Sequence, residues 1–302
     1  MAAALSSAVE SCTVETPDGA KLHARLFKPP NEPKSNLVIV LVHPYSVLGG
    51  CQALLRGIGL GLAEMGWKAV TFDMRGAGRS TGRPSLTGSA EIRDVIAVCN
   101  WAAQYLSADR IVLVGSSAGL LICSAHWKSE MMVLVAYMRS EGFVISFGYV
   151  AYLIGFYDEI CTFELYVPCF SESGTLCALT CNCGIVILMS DTAVEGAPIS
   201  GSAVDQVEQV VGYVSIGYPF GWTASILFGR HHKAILQSPK PKLFIMGTND
   251  GFTSVKQLEN KLKSAAGRVE THLIQGVGHF QMEGPAFDED MVNLIIRFVE
   301  TL

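Results

Sequence analysis

The chain has 302 residues, half of them hydrophobic and 16% charged, enough for a sizeable core in one large domain or two ordinary ones; this composition excludes a disordered chain. A formal charge of −5 without a basic run excludes a nucleic-acid-binding surface. The first residues, Met-Ala-Ala-Ala-Leu-Ser-Ser-Ala-Val, lack a basic start and meet Glu10 early, so they make a poor secretory signal. The nine cysteines then read as reduced thiols of a cytoplasmic protein.

Elements are legible up to residue 119. Thr13 to Phe27 predicts an antiparallel hairpin turning at Pro17-Asp18-Gly19. Asn36 to His43 (NLVIVLVH) is a continuous apolar run, as in a strand covered on both faces. Cys51 to Gly66 predicts a helix and Lys68 to Asp73 a strand, followed by the turn Arg75-Gly76-Ala77-Gly78-Arg79-Ser80. That turn lacks the spacing and the lysine of a phosphate loop, so it reads as structural. Ser89 to Leu106 predicts a helix with Ser89 as its N-cap before Glu91. Ile111 to Val114 is the next buried strand.

Between about 120 and 196 the character changes. Six of the nine cysteines fall there, at 123, 161, 169, 177, 181 and 183. Phe143 to Tyr157 carries no charge and has no clean period, and turn signals at strand spacing are missing. Leu120 to Ser140 contains no Gly or Pro, which leaves it free to form a helix. Cys181-Asn182-Cys183 lacks paired metal-site spacing, so no metal is expected.

The alternation then resumes. Val210 to Ser215, Lys242 to Gly247 and Val269 to Gln275 read as strands. Trp222 to Leu236 and Ser254 to Ala266 read as helices, with His231 and His232 taken as solvated near a helix end. Asp288 to Leu302 closes the chain with an amphipathic helix. Strands alternating with helices predict an α/β fold with a mostly parallel sheet and helices on both faces.

Gly115-Ser116-Ser117-Ala118-Gly119 directly follows the strand Ile111–Val114. A strand ending in G-x-S-x-G is a nucleophile-elbow pattern, in which small flanking residues permit a sharp turn that exposes the serine. Asp250 and His279 each lie just beyond a predicted strand, in Gly247-Thr248-Asn249-Asp250-Gly251 and Gly276-Val277-Gly278-His279. Alone, Asp250 reads as a turn residue and His279 as a structural histidine. Jointly, three such residues converge on the carboxyl edge of one sheet, in the order Ser…Asp…His. A serine hydroxyl needs an imidazole to take its proton, and a carboxylate to orient that imidazole. Backbone donors for the oxyanion are expected at Ala118 and, because Pro44 has no N–H, at Tyr45, with Ser46 as the alternative. His43 reads as a loop-shaping residue rather than a second base.

These residues resemble the α/β-hydrolase superfamily, and within it the small, nearly lidless serine-aminopeptidase-like and dienelactone-hydrolase-like members of plants and bacteria. The likeness rests on His43-Pro44-Tyr45 with Leu48-Gly49-Gly50, Asp73-Met74-Arg75-Gly76-Ala77-Gly78-Arg79-Ser80, Gly115–Gly119, Gly247-Thr248-Asn249-Asp250 and Gly278-His279. It covers about 11–119 and 197–302. It implies a serine hydrolase without cofactor or metal, acting on a small ester, thioester or amide through an acyl-enzyme. Ser117 would be the nucleophile, Asp250 the orienter and His279 the base. A non-catalytic ligand-binding protein of the same fold is the alternative.

The departure follows Gly119. Ala197-Pro198-Ile199-Ser200-Gly201-Ser202-Ala203-Val204-Asp205 resembles the small-residue helix that directly follows such an elbow, and joining Gly119 to Ala197 gives GSSAGAPISGSAVD. Removing 120–196 from the 302 residues leaves 225, an ordinary size for one such domain. The expected organisation is therefore a single domain interrupted by an atypical insertion, read as a translated retained intron that weakens or abolishes activity. The other reading is a genuine lid or membrane-associating segment. Gly142 to Tyr157, at 16 residues, is shorter than the roughly 20 of a spanning helix, which argues against the membrane. The sequence specifies no oligomeric state.

Overall fold

The computed structural model describes residues 8–44, 51–85, 87–117, 196–220 and 231–302, with the backbone of four strands between 133 and 177. The chain divides into two compact units, 1–124 with 192–302, and 125–191.

In the first unit β1 (Ala8–Glu15) and β2 (Lys21–Lys28) form the predicted hairpin. They continue into β3 (Leu37–Val42), β4 (Lys68–Phe72), β5 (Arg110–Ser116), β10 (Val210–Ile216), β11 (Lys242–Gly247) and β12 (Val269–Ile274). Together they make an eight-stranded sheet in the order β1-β2-β4-β3-β5-β10-β11-β12. The pairs β1–β2 and β2–β4 are antiparallel and every later pair is parallel.

Helices cover both faces, which explains the unbroken apolar run of β3. Leu37, Ile39 and Leu41 pack with Ile58 and Leu62 of α1 (Arg56–Glu64) and with Met291 and Ile295 of α6 (Asp288–Val299). Val38, Val40 and Val42 face the opposite way. They join Val95 and Val98 of α2 (Ser89–Tyr105) and Ala197 and Ile199 of α3 (Gly196–Ala203). Period-2 alternation sends neighbouring residues to different cores, so no position along the strand is left polar.

Several local expectations are corrected. The predicted helix from Cys51 opens with a 3-10 turn, Gln52–Leu55. Ser89 is not the N-cap of α2: Gly88 holds that place with φ 71°, and no side chain caps there. The Glu91 carboxylate instead turns back to accept from the Ser85 N–H at 2.6 Å and the Ser85 hydroxyl at 2.5 Å. The helix predicted from Trp222 is described only over 231–237, here α4, and residues 221–230 lie outside the described residues. α5 (Val255–Leu262) carries a full capping box between Ser254 and Gln257.

The second unit, taken by itself, contains two antiparallel pairs: β6 (Val133–Arg139) with β7 (Gly142–Gly148), and β8 (Cys169–Phe170) with β9 (Leu176–Cys177). Helix over the end of Leu120–Ser140 is therefore overturned. Val133, Val135, Val144 and Ile145 favour extended backbone, while Ser140-Glu141 between the strands is a weak turn signal. Among the described residues no helix is long and apolar enough to cross a membrane.

Candidate active site

Ser117, Asp250 and His279 come together at the carboxyl edge of the sheet. Ser117 directly follows β5, and its N–H donates to the carbonyl of Ile216 at 3.0 Å, one step beyond the β5–β10 ladder. Asp250 lies in the turn after β11. Its Oδ1 accepts the N–H groups of Phe252 and Thr253 at 2.7 and 2.9 Å, so the loop fixes the carboxylate before it meets histidine. His279 begins a short 3-10 turn after β12, and its Nδ1 lies 2.6 Å from Asp250 Oδ2. Both side chains are buried. A buried carboxylate accepts only, so it holds the imidazole with a proton on Nδ1.

The second ring nitrogen departs from the expected arrangement. Nε2 of His279 lies 2.9 Å from the backbone carbonyl oxygen of Ser117, not from its hydroxyl. The Ser117 Oγ is buried and has no hydrogen-bond partner. With Nδ1–H committed to Asp250, a hydrogen bond to that carbonyl requires a second proton, on Nε2. An imidazole carrying both protons cannot accept one from serine. Elbows are sharp, strained turns. Yet among the described residues Ser107, not Ser117, is the non-glycine residue with positive φ.

Close packing between the end of β5 and the start of α3 is nonetheless present, at Gly115 and Gly196. A Cβ on Gly115 would meet the Ser200 hydroxyl, the Ala197 Cα at 2.7 Å and the Gly196 carbonyl at 2.8 Å. A Cβ on Gly196 would meet the carbonyl oxygens of His43 and Ser116, the latter at 2.7 Å. The Ser200 hydroxyl donates to the Gly196 carbonyl at 2.6 Å, and the Tyr213 hydroxyl donates to the Ala197 carbonyl at 2.8 Å. The first turn of α3 is thereby pinned against the end of β5.

The oxyanion donors expected at Ala118 and Tyr45 lie outside the described residues. His43 is fully buried; its Nε2 accepts the Met74 N–H at 2.9 Å and its Nδ1 faces the Pro44 carbonyl at 2.6 Å. Burial pushes its pKa down. These bonds tie the ends of β3 and β4 together, the loop-shaping role its sequence context indicates. The turn after β4 is structural too: the Asp73 carboxylate accepts from the Gln52 and Arg79 N–H groups at 2.9 and 3.2 Å.

Sequence reasoning missed two features. Phe252 and Phe280 are each about two-fifths exposed, and both rings pack against His279, one tilted and one edge-on, with centroids 4.5 and 5.0 Å away. Neither has a spacing that marks it beforehand. His231 and His232, expected in solvent, are buried. His231 bridges the Ser202 hydroxyl and the Thr87 carbonyl, and His232 packs on Tyr218 and Phe220. Burial pushes the His232 pKa down to about 4, against an ordinary value of 6.5. The folded protein therefore resists a proton that the unfolded chain accepts. Stability is retained above pH 6.5 and falls between there and pH 4, by roughly 3 kcal/mol from this group. Thermal melts across that window follow the loss, and His232→Phe flattens it; an unchanged slope in the variant contradicts the assignment.

Comparison with known proteins agrees with this architecture. The profile of the X-Pro dipeptidyl-peptidase (S15) family matches residues 18–138, ending inside the atypical stretch. Similar solved structures include a serine hydrolase homologue from Coxiella burnetii, 18% identical with a TM-score of 0.59, covering 95% of this chain and 96% of that one. A serine hydrolase without lid from Xanthomonas campestris is 17% identical with a TM-score of 0.59, over 98% and 94% of the two chains. An esterase from Pyrococcus furiosus is 14% identical with a TM-score of 0.58, over 98% and 92%. No curated protein matches the sequence. By its sheet order and these likenesses, the chain has the α/β-hydrolase fold.

Proposed function

We propose that this fold carries a serine hydrolase of small acyl substrates, acting in the cytoplasm without cofactor or metal. The observation that carries this reading is the buried 2.6 Å pair of His279 and Asp250, with the other ring nitrogen turned to Ser117. In the reaction His279 takes the Ser117 proton as Oγ attacks the acyl carbon. Asp250 stabilises the imidazolium, and the proton then passes to the leaving group. Water releases the acyl-enzyme by the same route in reverse. The exposed Phe252 and Phe280 beside the base favour an apolar acyl or leaving group. The esterase and the lidless hydrolase among the similar structures favour an ester reached from an open edge.

A fluorophosphonate probe tests the chemistry: Ser117 Oγ bonds phosphorus, fluoride leaves, and His279 takes the proton. Labelling of the 225-residue form that lacks 120–196, lost in Ser117→Ala, is the expected result. Absent labelling of that form, well folded, or equal labelling of the variant, supports the non-catalytic alternative instead. A panel of p-nitrophenyl esters and aminoacyl amides then ranks the substrates, with apolar esters expected first.

A further inference from the structure

We infer that Gly196 is the closing glycine of the Ser117 elbow, and that 119–195 interrupts the chain between the nucleophile and its own helix, leaving Ser117 disengaged from His279. The disengagement half rests on the serine-hydrolase reading; the placement of Gly196 does not. Gly115 and Gly196 face each other where strand and helix cross, and each is closed to a Cβ by backbone atoms of the other's element. Those are the places the outer glycines of G-x-S-x-G must take, one on the strand and one on the helix. Gly119, the glycine nearest in sequence, is separated from α3 by residues 120–195.

The junction is also closable. Gly196 packs on Ser116, one residue before the nucleophile. Consecutive Cα atoms lie about 3.8 Å apart, so Ala118 is enough chain to bridge such neighbours. Removing 120–196 and removing 119–195 give the same sequence, because both junction residues are glycine. The excised chain keeps the β5–α3 packing and regains the direct turn. In the interrupted chain that turn is not enforced. Ser117 has no positive φ, its hydroxyl is buried without a partner, and its carbonyl occupies Nε2 of the base. A translated retained intron accounts for such an insertion placed inside a five-residue motif.

Two measurements decide it. Fluorophosphonate labelling rates are compared for the 302- and 225-residue chains, each checked for folding by circular dichroism. The shorter chain should label at least about 100-fold faster, the loss typical of a roughly 1 Å misplacement. Equal rates, or a shorter chain that does not fold, overturn the inference. In the full chain, Gly196→Val should lower Tm by roughly 5–10 °C through overpacking against His43 and Ser116, and Gly119→Val should leave it within about 2 °C. The reverse order also overturns the inference. If both chains fold and neither labels, the hydrolase reading and the disengagement fall together; the valine pair still decides the placement of Gly196.

Discussion

Asp250→Asn in the 225-residue form lowers kcat/KM for an apolar p-nitrophenyl ester by about 10⁴-fold, and Ser117→Ala lowers it by on the order of 10⁴–10⁶. The reason lies in the Asp250 turn. Its Oδ1 already accepts two N–H groups, from Phe252 and Thr253. In the amide variant the single carbonyl oxygen stays on those donors, and the NH₂ then faces His279. A donor there forces Nδ1 to accept, which moves the ring proton to Nε2. Nε2 can no longer take a proton from serine. The variant keeps its fold because the turn bonds survive. A loss below about tenfold in a folded variant contradicts the role given to Asp250.

The second large effect is on stability. Asp94→Ala destabilises the protein by about 3–5 kcal/mol, the cost of breaking a buried ion pair from one side. Arg75 donates from Nη2 to Asp94 Oδ1 at 2.6 Å and from its backbone N–H to Asp94 Oδ2 at 2.9 Å. The Asp94 side chain is wholly buried and that of Arg75 is 7% exposed. Removing the carboxylate leaves the inner side of the guanidinium without its buried counter-charge, and the turn after β4 loses its anchor to α2. Asp18 pairs with the outer face of the same guanidinium at 2.8 Å, but its side chain is 40% exposed. Solvent screens that pair, so Asp18→Ala costs at most about 1 kcal/mol. Chemical denaturation of the two variants checks the contrast, and similar losses for both contradict it.

Most of the sheet is legible in the chain because its signals are local. Covered strands such as Leu37–Val42 are continuous apolar runs, and α6 carries its stripe over a dozen residues. The failures are places where local patterns compete. Ser89 looks like a cap because serine caps helices, but Gly88 supplies the left-handed residue and Glu91 the hydrogen bonds. His231 and His232 look solvated because histidine is polar. Their burial depends on Ser202, Thr87, Tyr218 and Phe220, which sequence does not place beside them.

The sequence alone determined the α/β architecture, the order Ser117, Asp250, His279, and the break in design after Gly119, since each is written in residue type and spacing. The tertiary structure alone decided which atoms meet. It pairs His279 with Asp250, sets Nε2 on the Ser117 carbonyl instead of its hydroxyl, and seats Gly196 against the end of β5. Hydrogen-bond partners depend on ångström separations between distant segments, and backbone packing of two glycines leaves no trace in their spacing along the chain.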